Sequence, residues 1–145
     1  MKVKQICQDP STYVLVLASG DEVNQQLLRF AGEQRPAGAS FTAIGAFERC
    51  KLGYFDWQAK KYLENPIDEQ VEVLSFIGNL TWDGEKPKLH AHVVVGLRDA
   101  AARGGHLLEA IVRPTLEITL VESPTHLQRR YDPQSRIPLI QLDRE

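Results

Sequence analysis

The stretch 88–108, KLHAHVVVGLRDAAARGGHLL, carries the clearest fold signal in the chain. Its first half alternates apolar with other side chains, which predicts a strand, because alternate residues of a strand point to one face. His90 and His92 therefore project together from the same face. We expect a loop over 99–103 to follow, and then a glycine-hinged return at Gly104-Gly105-His106. Three of the four histidines lie here, so this stretch indicates a functional site.

Hydrophobic patterning predicts a mainly antiparallel sheet around this stretch. Ser19 and Glu22 have capping-box spacing ahead of a helix, with Asp21 as an alternative cap. Asn65-Pro66 is expected to break the strand pattern. In chain order the predicted elements are an edge strand or arm over 1–9, a buried strand over 12–18, a helix from about 23 to 34, strands over 40–47 and 48–55, a hairpin return over 60–64, the longest strand over 69–82, a turn over 83–87, a strand over 111–122 and a short terminal strand in the tail.

Side-chain alternation also assigns faces within the predicted strands. In the longest strand, one face receives Val71, Val73 and Ile77, and the other face receives Leu74, Phe76 and Leu80. In the strand over 111–122 the core face is expected to hold Val112, Leu116, Ile118 and Leu120, opposite the polar residues Arg113, Thr115, Glu117 and Thr119.

Size and composition predict one globular domain. The chain has 145 residues, 43% hydrophobic and 25% charged, which suffices for one hydrophobic core. We assign a single domain over 1–145, with a core of about 12–122 and a tail over 123–145. We expect no membrane span and no secretory signal. Cys7 and Cys50 form no CxxC pair, so both are interpreted as half-buried free thiols of a cytoplasmic protein.

The charge balance argues against a free-standing duplex-binding protein. Seventeen basic and 19 acidic residues give a net charge of −2. Duplex binders usually carry a basic surface, because phosphate contacts supply most of their non-specific affinity. The densest basic spots are Lys60-Lys61 and Arg129-Arg130, and both are interpreted as solvated surface.

The three clustered histidines have the chemistry of a divalent metal site. Neutral imidazoles bind zinc and similar ions, and three of them leave one coordination position open. A His-x-His pair on a strand offers two convergent nitrogens, and glycines next to His106 would let a third ligand approach. The alternative interpretation is that these are packed histidines hydrogen-bonded to backbone carbonyls. Spacing alone leaves both interpretations open.

The other sequence motifs give weaker evidence of a functional site. Gly104-Gly105 lacks the lysine and hydroxyl residue of a phosphate loop, so a tight turn at a subunit contact is favoured. The aromatic group Tyr54, Phe55, Trp57 and Tyr62 is expected to bury itself against the sheet or a neighbouring subunit rather than stack on bases. His126 is interpreted as a surface residue, with a distant fourth ligand as the alternative.

The sequence resembles the PPC domain family, the plants and prokaryotes conserved domain, over about 13–122. The most specific matches are His90-Ala91-His92-Val93 and Gly104-Gly105-His106-Leu107-Leu108. Further matching blocks are Gly20-Asp21-Glu22-Val23, Ala43-Ile44-Gly45-Ala46, Leu52-Gly53-Tyr54-Phe55-Asp56, Val71-Glu72-Val73-Leu74-Ser75-Phe76-Ile77-Gly78 and Asp83-Gly84.

The resemblance implies an α+β fold, a mainly antiparallel sheet with packed helices, assembled as a homotrimer. It also implies a divalent metal, with zinc favoured, on His90, His92 and His106. Plant members are associated with DNA, but their AT-hook is a separate element. This sequence has no Arg-Gly-Arg-Pro core, and Gln34-Arg35-Pro36 resembles one only superficially. We therefore expect weak duplex binding.

Two functional hypotheses follow. The first is a homotrimeric binding module with a histidine-bound metal, regulatory or architectural, and DNA-associated only by family analogy. The second is a metal-dependent enzyme acting on a small ligand at a subunit interface. For either one, Glu109, Thr115 and Glu117 are the candidates to surround the metal site, and the carboxylates are the only candidates for a general base.

Overall fold

Strands make up most of the molecule. The computed structural model describes residues 1–142, and within them it shows nine strands and one helix. The elements are β1 (Lys2–Gln8), β2 (Ser11–Ala18), α1 (Val23–Gln34), β3 (Ala39–Asp56), β4 (Lys61–Ile67), β5 (Val71–Asp83), β6 (Lys86–Gly96), β7 (Ala102–Glu122), β8 (Gln128–Asp132) and β9 (Ile137–Gln141).

The two longest strands, β3 and β7, pair antiparallel and organise the sheet. The strand order is β1-β2-β7-β3-β5-β8-β9, with β4 on β3. Strand β6 pairs with both β5 and β7, so β3, β5, β6 and β7 form a closed circuit. The only parallel pairing among the described strands is one contact between β5 and β8. The predicted antiparallel sheet is confirmed, and β6 is held on both of its edges.

The expectation of several packed helices is wrong for the described residues, which contain α1 alone. Its predicted span is confirmed. The cap is Glu22, whose carboxylate accepts from the Gln25 N–H at 2.7 Å. The predicted caps Ser19 and Asp21 are otherwise engaged, since Asp21 accepts from the Met1 ammonium at 2.9 Å.

One apolar face of α1 packs on the sheet and closes the core. The predicted core face of β7 is confirmed. The fully buried side chains of these two elements are Val23, Leu27, Phe30 and Ala31 on the helix and Ala110, Val112, Leu116, Ile118 and Leu120 on the strand.

The faces predicted for β5 are wrong, because its pairing with β6 shifts between Val73 and Ser75. Such a bulge inserts one extra residue and reverses the alternation beyond it. Val73 and Phe76 therefore both point into the core, whereas Leu74 and Ile77 are exposed on the outer face.

Three further expectations are corrected by the structure. Asn65-Pro66 lies inside β4, whose only pairing among the described strands is with β3, and proline is tolerated on such an edge. The tail contributes two strands, β8 and β9, rather than one, and its last three residues, 143–145, lie outside the described residues. Cys7 is exposed and Cys50 is buried.

Candidate metal centre

The histidine pair lies on the outer face of β6. Ala91 and Val93, which alternate with it, are buried in the core. His92 is directly opposite His106 of β7 in the antiparallel register. The sheet therefore brings together all three histidines that the sequence singled out.

The three imidazoles form a nearly equilateral group. Ring centroids are 5.1 Å apart for His90–His92, 5.3 Å for His90–His106 and 5.4 Å for His92–His106. One ligand atom from each lies within 4.8 Å of the others. The Nε2 atoms of His90 and His92 are 3.2 Å apart, close to the ~3.3 Å that separates two nitrogens on a tetrahedral zinc at ~2.0–2.1 Å.

His106 reaches this group from a strand, not from the predicted loop. Gly104 and Gly105 are part of β7 and lie between neighbouring backbones. A Cβ on Gly105 would be 3.0 Å from the Gly53 carbonyl oxygen, and one on Gly104 would be 3.2 Å from that of Val93. The glycines therefore permit close strand packing at this point rather than a turn.

Burial and neighbouring groups favour the neutral form of two of these imidazoles, and neutral imidazole is the form that can bind a metal. Burial, and then the neighbouring His90 and His92, lower the pKa of His106 to about 4. Burial also lowers the pKa of His90, with smaller effects from Arg129 and His92. At neutral pH both imidazoles are therefore uncharged and have a lone pair to offer.

The hydrogen bonding of these rings differs from that of packed core histidines. In the described part of the chain, His90 contacts His92 and Arg129 rather than a backbone carbonyl. His106 Nδ1 is buried and has no hydrogen-bond partner there. A buried nitrogen without a partner is costly, and coordination of a metal would satisfy such an atom. The donor set and this orphaned nitrogen fit a divalent ion.

The three residues proposed to surround the site lie elsewhere. Thr115 donates to the Leu17 carbonyl at 3.2 Å. Glu109 is exposed on β7 and registers with Lys51, and Glu117 is exposed opposite Ile44. The structure brings none of the three into the histidine group, and no carboxylate of residues 1–142 joins it.

Two residues that the sequence did not assign to the site adjoin it. Tyr62 stacks on His106 with ring centroids 4.6 Å apart. Arg129 is only 8% exposed, and its Nη2 lies 3.5 Å from His90 Nδ1. The interpretation of Arg129 as solvated surface is wrong, because β8 turns this side chain inward and Arg130 outward. A two-arginine run carries no signal that separates the two.

The remaining candidates are not part of the group. His126 stacks on Trp82 with centroids 6.2 Å apart and contacts Gln128. Tyr54 and Trp57 stay exposed in the single chain, where Lys60 Nζ lies 3.0 Å from the centroid of the Trp57 ring.

Two of the cavities each adjoin two of the three histidines. One, of about 440 Å³, opens on the outer sheet face between His90, His92 and Ile77. The other, of about 180 Å³, lies between His90, His106 and β9. The group is therefore reachable from two sides.

The family model of the Plants and Prokaryotes Conserved (PCC) domain matches residues 4–124. The chain belongs to this family. It is the family that the sequence resemblance indicated, and its histidine motifs lie within the matched residues. No curated protein matches the chain.

Solved structures of similar proteins share the PCC architecture. A candidate DNA-binding protein from Ralstonia eutropha JMP134 is 32% identical, with a TM-score of 0.84 over 90% of this chain and 91% of that one. A candidate DNA-binding protein from Bacteroides thetaiotaomicron VPI-5482 is 27% identical, with a TM-score of 0.92 over 99% and 98%. A metal-containing protein from Archaeoglobus fulgidus is 29% identical, with a TM-score of 0.83 over 97% of each chain.

This PCC domain has no helix among its described residues that is long and apolar enough to cross a membrane.

Proposed function

We propose that this PCC domain is a divalent-metal-binding module, with zinc as the metal and His90, His92 and His106 as its ligands. The observation that carries the proposal is the convergence of one ligand atom from each ring within 4.8 Å. A structural relative described as metal-containing supports it. The free thiols Cys7 and Cys50 support a reducing, cytoplasmic setting.

The ligand set favours a site with one open position. Three neutral imidazoles satisfy three of the four positions of tetrahedral zinc. When bound, the ion supplies a Lewis acid that polarises a ligand or lowers the pKa of a coordinated water. His92 is exposed and His90 and His106 are half-buried, so a small ligand would have access to the fourth position.

We also propose a homotrimer, as the family resemblance implies. Exposed apolar side chains of β3, β5 and β6, namely Ile44, Leu74, Ile77 and Val94, are 40–62% exposed. They lie on the outer sheet face that also presents His92, with Ile77 directly opposite His92 in the register. A contiguous apolar face of this kind is typical of a subunit contact. The metal site would then lie at the margin of the interface.

The proposed role is regulatory or architectural, with weak affinity for duplex DNA. Several exposed basic side chains are neutralised by carboxylates on the same surface. The pairs are Arg29–Glu33, Arg35–Glu85, Arg49–Glu48, Lys51–Glu64, Lys88–Asp83 and Arg113–Glu48. Pairing of this kind leaves less free positive charge for phosphates. The description as a DNA-binding protein therefore applies to those relatives and is not extended to this domain.

A metal-dependent enzyme is the second candidate, supported by the cavity of about 180 Å³ that reaches His90 and His106. Hydrolysis would need a general base near the metal-bound water. Since Glu109 and Glu117 lie outside the histidine group, binding without hydrolysis is the better-supported function.

Elemental analysis of the purified protein tests the proposal. We expect about one zinc per chain after dialysis, loss of the metal in His92→Ala, and full retention in the control His126→Ala. His126 is a matched control because it is a histidine outside the group. Equal metal content in the wild type and His92→Ala would contradict the site.

A further inference from the structure

Arg129 is a buried cation without an anionic partner among the described residues. It is 8% exposed, and no carboxylate within residues 1–142 lies at salt-bridge distance from its guanidinium. Its hydrogen bonds go to neutral oxygens of Thr81, Asn79 and Pro138 at 2.7–3.0 Å. Buried charges in proteins are normally paired, so this one lacks a counter-ion within the part of the chain that the structure describes.

The neighbouring titratable group does not supply that counter-ion. A tyrosine phenol is neutral at physiological pH, so Tyr62, which stacks on His106, carries no negative charge. An arginine remains protonated in proteins. The positive charge is therefore uncompensated by the described residues.

The Arg129 guanidinium also has N–H donors that the described residues do not use. Of its five N–H groups, three are used by Thr81, Asn79 and Pro138. The Nη2 atom additionally faces His90 Nδ1 at the outer limit of hydrogen bonding, 3.5 Å. At least one N–H of Nη1 is free for an acceptor that the described chain does not contain.

The space beside Arg129 has the size and lining of a small-molecule site. The cavity of about 180 Å³ is lined by Arg129, by a second cation, Lys88, by His90 and His106, and by apolar side chains of β6 and β9 such as Leu89 and Leu139. A cavity of ~150 Å³ accommodates a benzene-sized molecule. Its occupant therefore has a charged end and a short apolar body.

We propose that this cavity binds a small aliphatic carboxylate. The carboxylate accepts charge-assisted hydrogen bonds from Arg129, and the apolar body packs on the side chains of β6 and β9. The structure assigns to Arg129 the role of the anion-binding residue.

A second part of the inference rests on the proposed metal function. A divalent ion on His90 and His106 would add positive charge beside Arg129, with no carboxylate of the described residues to offset it. A carboxylate bound at Arg129 would offset part of this positive charge. Zinc and the anion should therefore bind more tightly together than separately.

Calorimetric titration with isovalerate tests the anion site, and isovaleramide is the neutral isostere of the same shape. We expect isovalerate to bind metal-free wild-type protein and isovaleramide to bind at least about tenfold more weakly, because the amide lacks the charge. This comparison needs no variant. Equal binding of acid and amide, or no binding of isovalerate at millimolar concentration, overturns the proposal.

Variants locate the binding. Arg129→Met should weaken isovalerate at least about tenfold, and Arg129→Lys should weaken it less, since lysine keeps the charge but loses the planar fork. Arg130→Met, which removes the same charge from the opposite face of β8, is the matched control. Unchanged isovalerate affinity in folded Arg129→Met contradicts the site. A protein that binds inorganic phosphate but does not bind isovalerate contradicts it as well.

The coupling between zinc and isovalerate binding is tested separately from the anion site itself. Zinc should tighten isovalerate binding in the wild type and have no effect on it in His92→Ala. Loss of the zinc effect alone would contradict the coupling and leave the Arg129 site standing.

Discussion

His92 on β6 and His106 on β7 are direct cross-strand partners, with ring centroids 5.4 Å apart. This pairing joins histidines that lie 14 positions apart in the sequence. A shift of one residue in the β6–β7 register would turn one of the two rings to the other face of the sheet. The proposed metal site therefore depends on strand register, and the residues that hold the register control it.

Stability should depend on pH through the histidines. The pKa of His106 is lowered to about 4, mainly by burial, and that of His90 is also lowered. Between pH 6.5 and 4 the unfolded chain therefore binds more protons than the native one, and the free energy of unfolding falls as pH falls. We expect the metal-free protein to lose roughly 1–3 kcal/mol across this range, measured by urea unfolding.

The matched variants for this pH dependence are His106→Gln and His126→Ala. The first should flatten the dependence, because the buried imidazole is gone, and the second should leave it unchanged. If the free energy of unfolding varied with pH by the same slope in the wild type and in His106→Gln, the assignment of this pH dependence to His106 would be contradicted.

Gly78 should be intolerant of a side chain. A Cβ there would lie 2.5 Å from the His90 carbonyl oxygen and 2.6 Å from the Phe41 ring. Gly78→Ala is expected to lower the free energy of unfolding by about 1–3 kcal/mol and to weaken metal binding by moving β6.

Gly32 provides the control for this prediction. It lies on the exposed side of α1, where an added methyl group would have no atom within 4 Å beyond the backbone of its own helix. Gly32→Ala should raise the free energy of unfolding by about 0.5–1 kcal/mol, because alanine restricts the unfolded chain and favours helix. Urea unfolding of both variants measures the difference, and equal effects would refute the close packing at Gly78.

The sequence predicted most strands, the helix over 23–34 and the histidine group, because these depend on local periodicity and on residue type. It missed what depends on distant chain segments. Gly104 and Gly105, interpreted from the sequence as a hinge before His106, lie in a strand, because the Val93 backbone packs against the first and the Gly53 backbone against the second. The bulge at Val73 and Ser75 has no local signature, and Arg129 is buried only because β8 docks on the end of β5.

Assembly should depend on the outer apolar face. We expect light scattering to give three times the 16.3 kDa chain mass. Leu74→Asp should shift the mass towards the monomer, because it places a charge in the proposed contact. Ile6→Asp, at an equally exposed apolar position on β1, should leave the trimer intact. A monomeric wild type at micromolar concentration would contradict the assembly.

Duplex DNA should bind weakly at physiological salt, since the chain has a net charge of −2 and paired surface cations. Fluorescence anisotropy with an A·T-rich duplex should show no saturation at micromolar protein. A sub-micromolar dissociation constant that weakens steeply with added salt would instead place a phosphate-binding surface on this domain.

X-ray absorption at the zinc edge tests the central claim most directly, since it counts and identifies the ligands. Zinc-loaded protein should show three imidazole nitrogens and one further light atom, all at ~2.0–2.1 Å, and His92→Ala should lose this pattern. A sulfur ligand at ~2.3 Å, or a wild-type spectrum with a single imidazole, would contradict a centre built from His90, His92 and His106.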